Sequence, residues 1–101
     1  MEIITMIKGK IDETVSQDFE DAYAAIKEEG ITDGLVASYL LKDLVVPDLY
    51  KIESVWVNED ILKNMMDNDE TSAEVKLFEK FGVDPTVEIY EVRDSFSQFE
   101  E

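Results

Sequence analysis

The spacing of apolar residues switches several times along the chain, and this switching constrains the fold more than any other feature. Short stretches rich in Ile, Val, Thr and Tyr indicate strands, whereas apolar residues three or four positions apart indicate helices. The predicted strands span residues 3–11, 34–42, 49–57 and 86–93, and the predicted helices lie at residues 14–29 and between Asn58 and Gly82, with an interruption at 67–70. This order is that of an α+β, ferredoxin-like βαββαβ protomer with an antiparallel four-stranded sheet.

Glycines and polar residues mark several expected element ends. Gly9 is expected to break the first strand. Gly30 and Gly82 are expected to end helices in the left-handed conformation that glycine adopts easily. Thr71 and Glu74 have the spacing of a capping box at the start of a helical segment. The inward face of that segment is expected to carry Val75, Phe78 and Phe81.

The chain of 101 residues carries 25 acidic and 9 basic side chains, which gives a formal net charge of -16. This charge argues against nucleic acid and anionic membrane surfaces as partners, because both bind a basic face. The N-terminus lacks the pattern of a signal peptide, and no apolar run approaches the ~20 residues of a membrane span. We therefore expect a cytoplasmic protein with one ferredoxin-like domain at residues 1–96 and an acidic tail at residues 97–101.

The sequence contains neither His nor Cys. Without His there is no imidazole base and no histidine ligand for haem iron, and without Cys there is no thiol nucleophile and no thiolate zinc site. Acid–base chemistry would have to use a carboxylate, Tyr, Lys or an ordered water. We expect no metal ion and no other cofactor.

The predicted strands carry apolar residues on both faces, although an antiparallel sheet with one face in water normally alternates apolar with polar. In the first strand, Ile3 and Ile7 lie on one side and Ile4 and Met6 on the other. One side of the second strand is expected to carry Leu35, Ala37, Tyr39 and Leu41. Two helices cover only one face, so a second copy of the sheet is the simplest cover for the other. The sequence therefore predicts a homodimer that forms a dimeric α/β barrel, unless the strand faces are merely mixed.

The stretch from Gly34 to Leu62 resembles the antibiotic biosynthesis monooxygenase family, a branch of the dimeric α/β-barrel superfamily. The resemblance rests on Tyr39-Leu40-Leu41-Lys42-Asp43, Pro47, Tyr50, Glu53, Trp56 and Asn58-Glu59-Asp60. It implies a homodimer with a ligand cleft beside each sheet, and oxidation of an aromatic substrate by O₂ without metal or flavin. The haem-degrading members of the family place a His on the second helix and usually an Asn on the first strand, and this sequence has neither.

Oxygenation without a cofactor requires an electron-rich aromatic or quinol-like substrate, a group that removes a proton and a group that stabilises the anion. The candidate catalytic residues are Trp56, Tyr50, Asn58 and Arg93. Trp56 stands where the family has its strand tryptophan, and its indole N–H can donate to a substrate oxygen. Tyr50 shares a face with Trp56, since they are an even number of positions apart. Arg93, the only arginine, can stabilise an anion.

Four further residues are expected to line a pocket for a small aromatic ligand. These are Tyr23, Tyr39, Met65 and Met66. Packing, helix capping and ion pairing can also explain every candidate in both groups. The alternative function is therefore a non-catalytic small-molecule-binding or stress-associated dimeric barrel protein.

Overall fold

The computed structural model describes residues 2–30, 33–61, 63 and 73–98. The elements in chain order are β1 (Ile3–Lys10), a 3₁₀ turn (Glu13–Val15), α1 (Ser16–Glu28), β2 (Leu35–Lys42), β3 (Leu49–Trp56), α2 (Ala73–Lys80) and β4 (Thr86–Glu91). The strands of this described part form a four-stranded antiparallel sheet in the order β2-β3-β1-β4. The predicted α+β, ferredoxin-like architecture is therefore confirmed.

The helix predicted after Asn58 begins as expected, with residues 59–61 helical. The Asn58 side-chain oxygen accepts a hydrogen bond from the Asp60 amide at 3.0 Å, which caps the helix start. The predicted interruption at 67–70 and the capping residue Thr71 lie outside the described residues. Among the helices of the described part, none has the length and apolar character needed to cross a membrane.

The helices α1 and α2 pack on one face of the sheet around Phe19. The ring of Phe19 lies 5.3 Å from that of Tyr50, 4.9 Å from that of Phe78 and 5.4 Å from that of Phe81, measured between centroids. These tilted and edge-on arrangements are the ones that aromatic rings favour. The fully buried residues around them are Ile7, Ile11, Ile52 and Leu77. We call this set, with Phe19, Tyr50 and Phe78, the aromatic core.

Gly9 does not break the first strand, contrary to the prediction, because β1 continues to Lys10. A side-chain carbon added at Gly9 would lie 2.7 Å from Val83 and 3.1 Å from Phe78. Glycine is therefore needed here for close packing of α2 on the strand. Gly30 and Gly82 follow the helices with φ of +109° and +78°, in the positive region predicted for them.

A β-bulge at Val36 reorganises the beginning of β2. Leu35 pairs with Trp56, but Ala37 already pairs with Val55, so one extra residue is inserted in β2. Residues directly opposite each other point to the same side of a sheet, which puts Leu35 on the helix side. The opposite side carries Ala37, Tyr39 and Leu41. The prediction that Leu35 shares a face with these three residues is therefore wrong.

The face of the sheet that carries no helix, called the open face, divides into an apolar end and a charged end. The cross-strand row at the apolar end consists of Ala37, Val55, Ile4 and Tyr90. The charged side chains of the open face are Lys8, Lys10, Lys51, Glu53 and Glu88. An ion pair of 3.1 Å joins Lys8 to Glu88. Apolar side chains thus lie on both faces of the sheet, but on the open face they concentrate at one end.

Candidate functional site

A cavity of about 190 Å³ lies between α1, the beginning of β2 and the first turn of α2. Its apolar wall consists of Ile26, Leu35, Val36, Ala37 and Ala73. We call it the α1–β2 cavity. An apolar cavity of about 150 Å³ suffices to hold a benzene molecule. The described walls therefore leave room for a ligand with one aromatic ring.

The polar part of the wall begins with a chain of three hydroxyl groups. The Tyr23 hydroxyl lies 2.8 Å from the Ser38 hydroxyl, and Ser54 donates to Ser38 over a longer distance of 3.4 Å. When Ser38 in turn donates to Tyr23, the phenolic hydrogen of Tyr23 remains for a ligand. Because Tyr23 and Ser38 both line the α1–β2 cavity, the chain ends at the ligand space.

The charged part of the wall consists of Glu74 and Lys27. Glu74 is 8% exposed and is the only buried charged side chain among the residues that the structure describes. Its place follows from helical spacing, since Glu74, Leu77 and Phe78 form one buried stripe of α2. Lys27 is exposed and lies one turn after Tyr23 on α1, so both project toward the same side.

Trp56 lies beside the α1–β2 cavity and is not among the described residues that line it. The side chain is 3% exposed, and its indole nitrogen donates to the Thr5 hydroxyl at 3.0 Å. Its partner across the strands is Leu35, which does line the cavity. Trp56 thus lies next to a wall residue rather than in the wall, and its indole N–H already donates to Thr5.

Tyr50 lies on the same face of β3 as Trp56, as predicted, but at the other end of the strand. At ~3.3 Å per residue the two positions are about 20 Å apart, so they do not share one pocket. Tyr50 is 1% exposed, and its hydroxyl donates to Glu20 at 2.5 Å. Burial and the Glu20 carboxylate raise the pKa of Tyr50, which keeps the phenol protonated.

The other candidates for catalysis lie apart from the cavity. Arg93 is exposed and donates to the Glu91 carboxylate at 2.7 Å. Asn58 is engaged as the cap described above. The structure therefore does not bring Trp56, Tyr50, Asn58 and Arg93 together.

Among the candidates for ligand binding, Tyr23 lines the α1–β2 cavity. Tyr39 is 52% exposed and belongs to the open face of the sheet. Met65 and Met66 lie outside the described residues. Within the described ranges, no three acidic residues lie close enough together to hold a metal ion.

Sequence reasoning missed two wall residues, Ser38 and Glu74. Glu74 was assigned to helix capping, although its spacing from Leu77 and Phe78 already places it on the buried stripe. Ser38 reaches the helix side only because the bulge at Val36 shifts the alternation of β2. No local pattern in the sequence announces that bulge.

The fold and the cavity define a ferredoxin-like α+β domain with a ligand-sized space between its helices and its sheet. Among solved structures, the chain is similar to a candidate antibiotic biosynthesis monooxygenase from Deinococcus radiodurans, with 16% identity, coverage of 97% of this chain and 99% of that chain, and a TM-score of 0.71. It is also similar to a variant of SnoaB, a cofactor-independent oxygenase from Streptomyces nogalater, with 13% identity, coverage of 96% and 98%, and a TM-score of 0.71.

A conserved protein from Methanosarcina mazei is similar with 17% identity, coverage of 89% of this chain and 91% of that chain, and a TM-score of 0.67. No protein-family profile matches the chain, and no curated protein matches it. The resemblance to the antibiotic biosynthesis monooxygenase family is therefore confirmed for the fold. At identities this low, a shared fold does not define a shared chemistry.

Proposed function

We propose that this protein is a cofactor-independent monooxygenase that binds an electron-rich aromatic or quinol-like molecule in the α1–β2 cavity. The observation that carries the proposal is the cavity itself, an apolar space of about 190 Å³ into which the Tyr23 hydroxyl can donate. Small-molecule sites typically combine an apolar wall with a few polar groups in this way. The similarity in fold to a cofactor-independent oxygenase supports the same activity.

A quinol can supply every electron that such a reaction needs. One hydroquinone and one O₂ give one hydroxyquinone and one water. One oxygen atom enters a ring C–H bond, the other leaves as water with two protons, and the ring loses four electrons. The protein has to bind the ring, accept a phenolic proton and stabilise the resulting anion. Tyr23 would stabilise the anion by donating a hydrogen bond to its oxygen.

The residues proposed from sequence have different places in this scheme. Trp56 would act as a positioning residue, because it supports Leu35 on the cavity wall. A catalytic role for Tyr50 or Arg93 would require each to release its present carboxylate partner, Glu20 or Glu91, when substrate binds. The exchange is costly for the buried Tyr50, whose charge-assisted hydrogen bond is stronger than a neutral one, whereas the exposed Arg93 can leave its partner at little cost.

Oxygen uptake with a panel of one-ring hydroquinones tests the proposal. We expect enzyme-dependent uptake that falls about tenfold in Tyr23→Phe, which loses a single hydrogen bond to an anion. The matched control Tyr90→Phe removes a hydroxyl from the open face and should keep the wild-type rate. Absence of uptake with every quinol contradicts the oxygenase, and equal uptake by wild type and Tyr23→Phe contradicts the role of Tyr23 in stabilising the anion.

The second candidate function is non-catalytic binding of a small molecule in the same cavity. The observation that favours it is that Trp56 and Tyr50, the aromatic pair proposed for chemistry, are both buried and hydrogen-bonded within the protein. Such a protein would bind hydroquinone without consuming O₂. Calorimetric titration under anaerobic conditions, beside the uptake assay, separates a binder from an enzyme.

We also propose that two copies of the chain pair through their open faces. The open face combines an apolar row with exposed tyrosines, and contiguous apolar patches of this kind mark interaction sites. The open face carries three lysines and two glutamates, whereas the whole chain has a net charge of -16. The open face is thus one surface on which two such acidic molecules can meet without strong repulsion.

Val55→Glu tests the pairing, since Val55 stands in the middle of the apolar row. We expect sedimentation to show a dimer for the wild-type protein and a monomer for Val55→Glu. The control Val45→Glu places the same charge on a side chain that is 88% exposed in the β2–β3 loop, and it should remain dimeric. A monomeric wild type, or a dimer that only Val45→Glu dissociates, contradicts the proposal.

A further inference from the structure

The wall of the α1–β2 cavity that faces the hydroxyl chain carries Glu74, for which the sequence analysis predicted only a capping function. We propose that Glu74 accepts the proton of a phenolic ligand bound in this cavity. The inference deepens the proposed function and rests on it for the reaction, but its core concerns the binding of a phenol and can be tested without turnover.

Geometry is the first support. Glu74 belongs to the first turn of α2, while Tyr23 and Lys27 line the same cavity from α1. A ring between the helices and β2 therefore meets an acceptor on one wall and donors on the other. On the described walls, the Tyr23 hydroxyl and the Lys27 ammonium can donate hydrogen bonds. Glu74 is the only one of the three that can accept a proton.

Burial is the second support. Glu74 is 8% exposed, so fewer water molecules compete for its carboxylate than at an exposed residue, and a ligand hydroxyl that donates to it makes a charge-assisted hydrogen bond. The other acidic residue of α2 shows the contrast, since Glu79 is exposed and is not among the described residues that line this cavity. Glu74 is therefore the position of α2 at which a phenol O–H obtains a strong acceptor.

The proton transfer leaves the charge of the cavity unchanged. The O–H bond of the quinol breaks, a bond between that hydrogen and a Glu74 carboxylate oxygen forms, and the electron pair stays on the quinol oxygen. Glu74 becomes neutral as the substrate becomes an anion, so two negative charges never face each other in the cavity. The phenolate then faces the donors of α1, and O₂ is the oxidant that removes its electrons.

The first experiment uses 4-nitrophenol, whose phenolate absorbs visible light and whose phenol form does not. Because a charged Glu74 accepts from the phenol and repels the phenolate, the wild-type protein should bind the protonated form preferentially. In Glu74→Gln this preference, the ratio of the two dissociation constants, should fall about tenfold, which corresponds to one pKa unit of the bound probe. Absorbance titrations on both sides of the pKa of the free probe measure it.

Two further variants keep this experiment decisive. Glu79→Gln removes a negative charge from the exposed side of α2 and should show the wild-type preference. Glu74→Asp keeps a carboxylate and should retain most of the preference, so it gives an answer even if Glu74→Gln does not fold. Wild-type protein that does not bind 4-nitrophenol overturns the inference. The inference is also overturned if the wild-type protein, Glu74→Gln and Glu74→Asp all show the same preference for the protonated probe.

The second experiment uses turnover of a hydroquinone. Removal of a general base typically costs 10²- to 10⁴-fold, so kcat should fall by roughly 10²-fold or more in Glu74→Gln, with a smaller change in KM. Turnover unchanged by Glu74→Gln overturns the inference and leaves the oxygenase intact. If no hydroquinone is turned over but the preference for the protonated probe depends on Glu74, only the oxygenase is contradicted.

Discussion

The two ends of the layer between the helices and the sheet differ sharply in how they are filled. At one end the aromatic core surrounds Phe19 with three rings at centroid distances near 5 Å. At the other end the same helix α1 and the same sheet leave the α1–β2 cavity open between Tyr23 and Glu74. One layer thus contains a closely packed part that stabilises the fold and a hollow part with polar groups that a ligand can use.

The β-bulge at Val36 and the glycine at position 9 explain part of this difference. The bulge turns Ser38 toward the helices and leaves small or short side chains on the wall. At the core end, Gly9 lets Phe78 and Val83 approach β1 to within contact of its backbone. Close packing and open space therefore follow from single backbone features as much as from the apolar pattern.

The largest expected difference in stability is between two alanine substitutions, one near each end of α1. Phe19→Ala empties the centre of the aromatic core and should lower the free energy of unfolding by ~3–5 kcal/mol. Ile26 is itself half-buried and lines the α1–β2 cavity, so Ile26→Ala only enlarges an existing space. Its effect on the free energy of unfolding should therefore be clearly smaller. Urea denaturation of both variants measures the difference. Equal costs would mean that the two ends are packed alike.

Addition of one methyl group should also affect stability differently at the two ends, because the core end has no room for it and the cavity end has. Gly9→Ala forces a carbon to 2.7 Å from Val83 and should cost ~1–3 kcal/mol. Ser38→Thr adds a methyl beside the α1–β2 cavity and keeps the hydroxyl, so stability should change by less than ~0.5 kcal/mol. The double variant Gly9→Ala, Val83→Ala should recover part of the loss. If the double variant is no more stable than Gly9→Ala, the clash with Val83 is not the cause of the loss.

Thr5→Val tests whether Trp56 is held by its hydrogen bond. The substitution keeps the shape of the side chain but leaves the buried indole N–H without its acceptor, which should cost roughly 1–2 kcal/mol. Binding of a quinol should change little, because Trp56 is not among the described residues that line the cavity. Loss of binding with unchanged stability would assign Trp56 directly to the ligand site.

The smallest effect concerns the pH dependence of stability at the aromatic core. Because burial and Glu20 raise the pKa of Tyr50 above its usual value of about 10, the folded state holds this proton more tightly than the unfolded state. The corresponding stability is present below pH ~10 and is lost as the pH rises through the folded-state pKa. Tyr50→Phe should therefore weaken the decline in stability between pH 9 and pH 11, whereas the exposed Tyr39→Phe should not.

The sequence predicted the element order because the strands are short stretches rich in β-branched and aromatic residues, whereas the helices carry apolar residues three or four positions apart. It also predicted that Tyr50 and Trp56 share a face, and that Gly30 and Gly82 adopt positive φ. It did not predict the α1–β2 cavity, because a cavity depends on how far apart two elements pack. Glu74 was recoverable from its spacing to Phe78, whereas the placement of Ser38 required the bulge.

The most direct test of this account is an NMR titration of the uniformly ¹⁵N-labelled protein with hydroquinone under anaerobic conditions. We expect the largest amide shifts at Tyr23, Ser38 and Glu74, and almost none at Tyr50 and Phe78. Shifts concentrated on Tyr39 and Tyr90 of the open face, or no shifts at saturating quinol, would contradict a ligand site in the α1–β2 cavity.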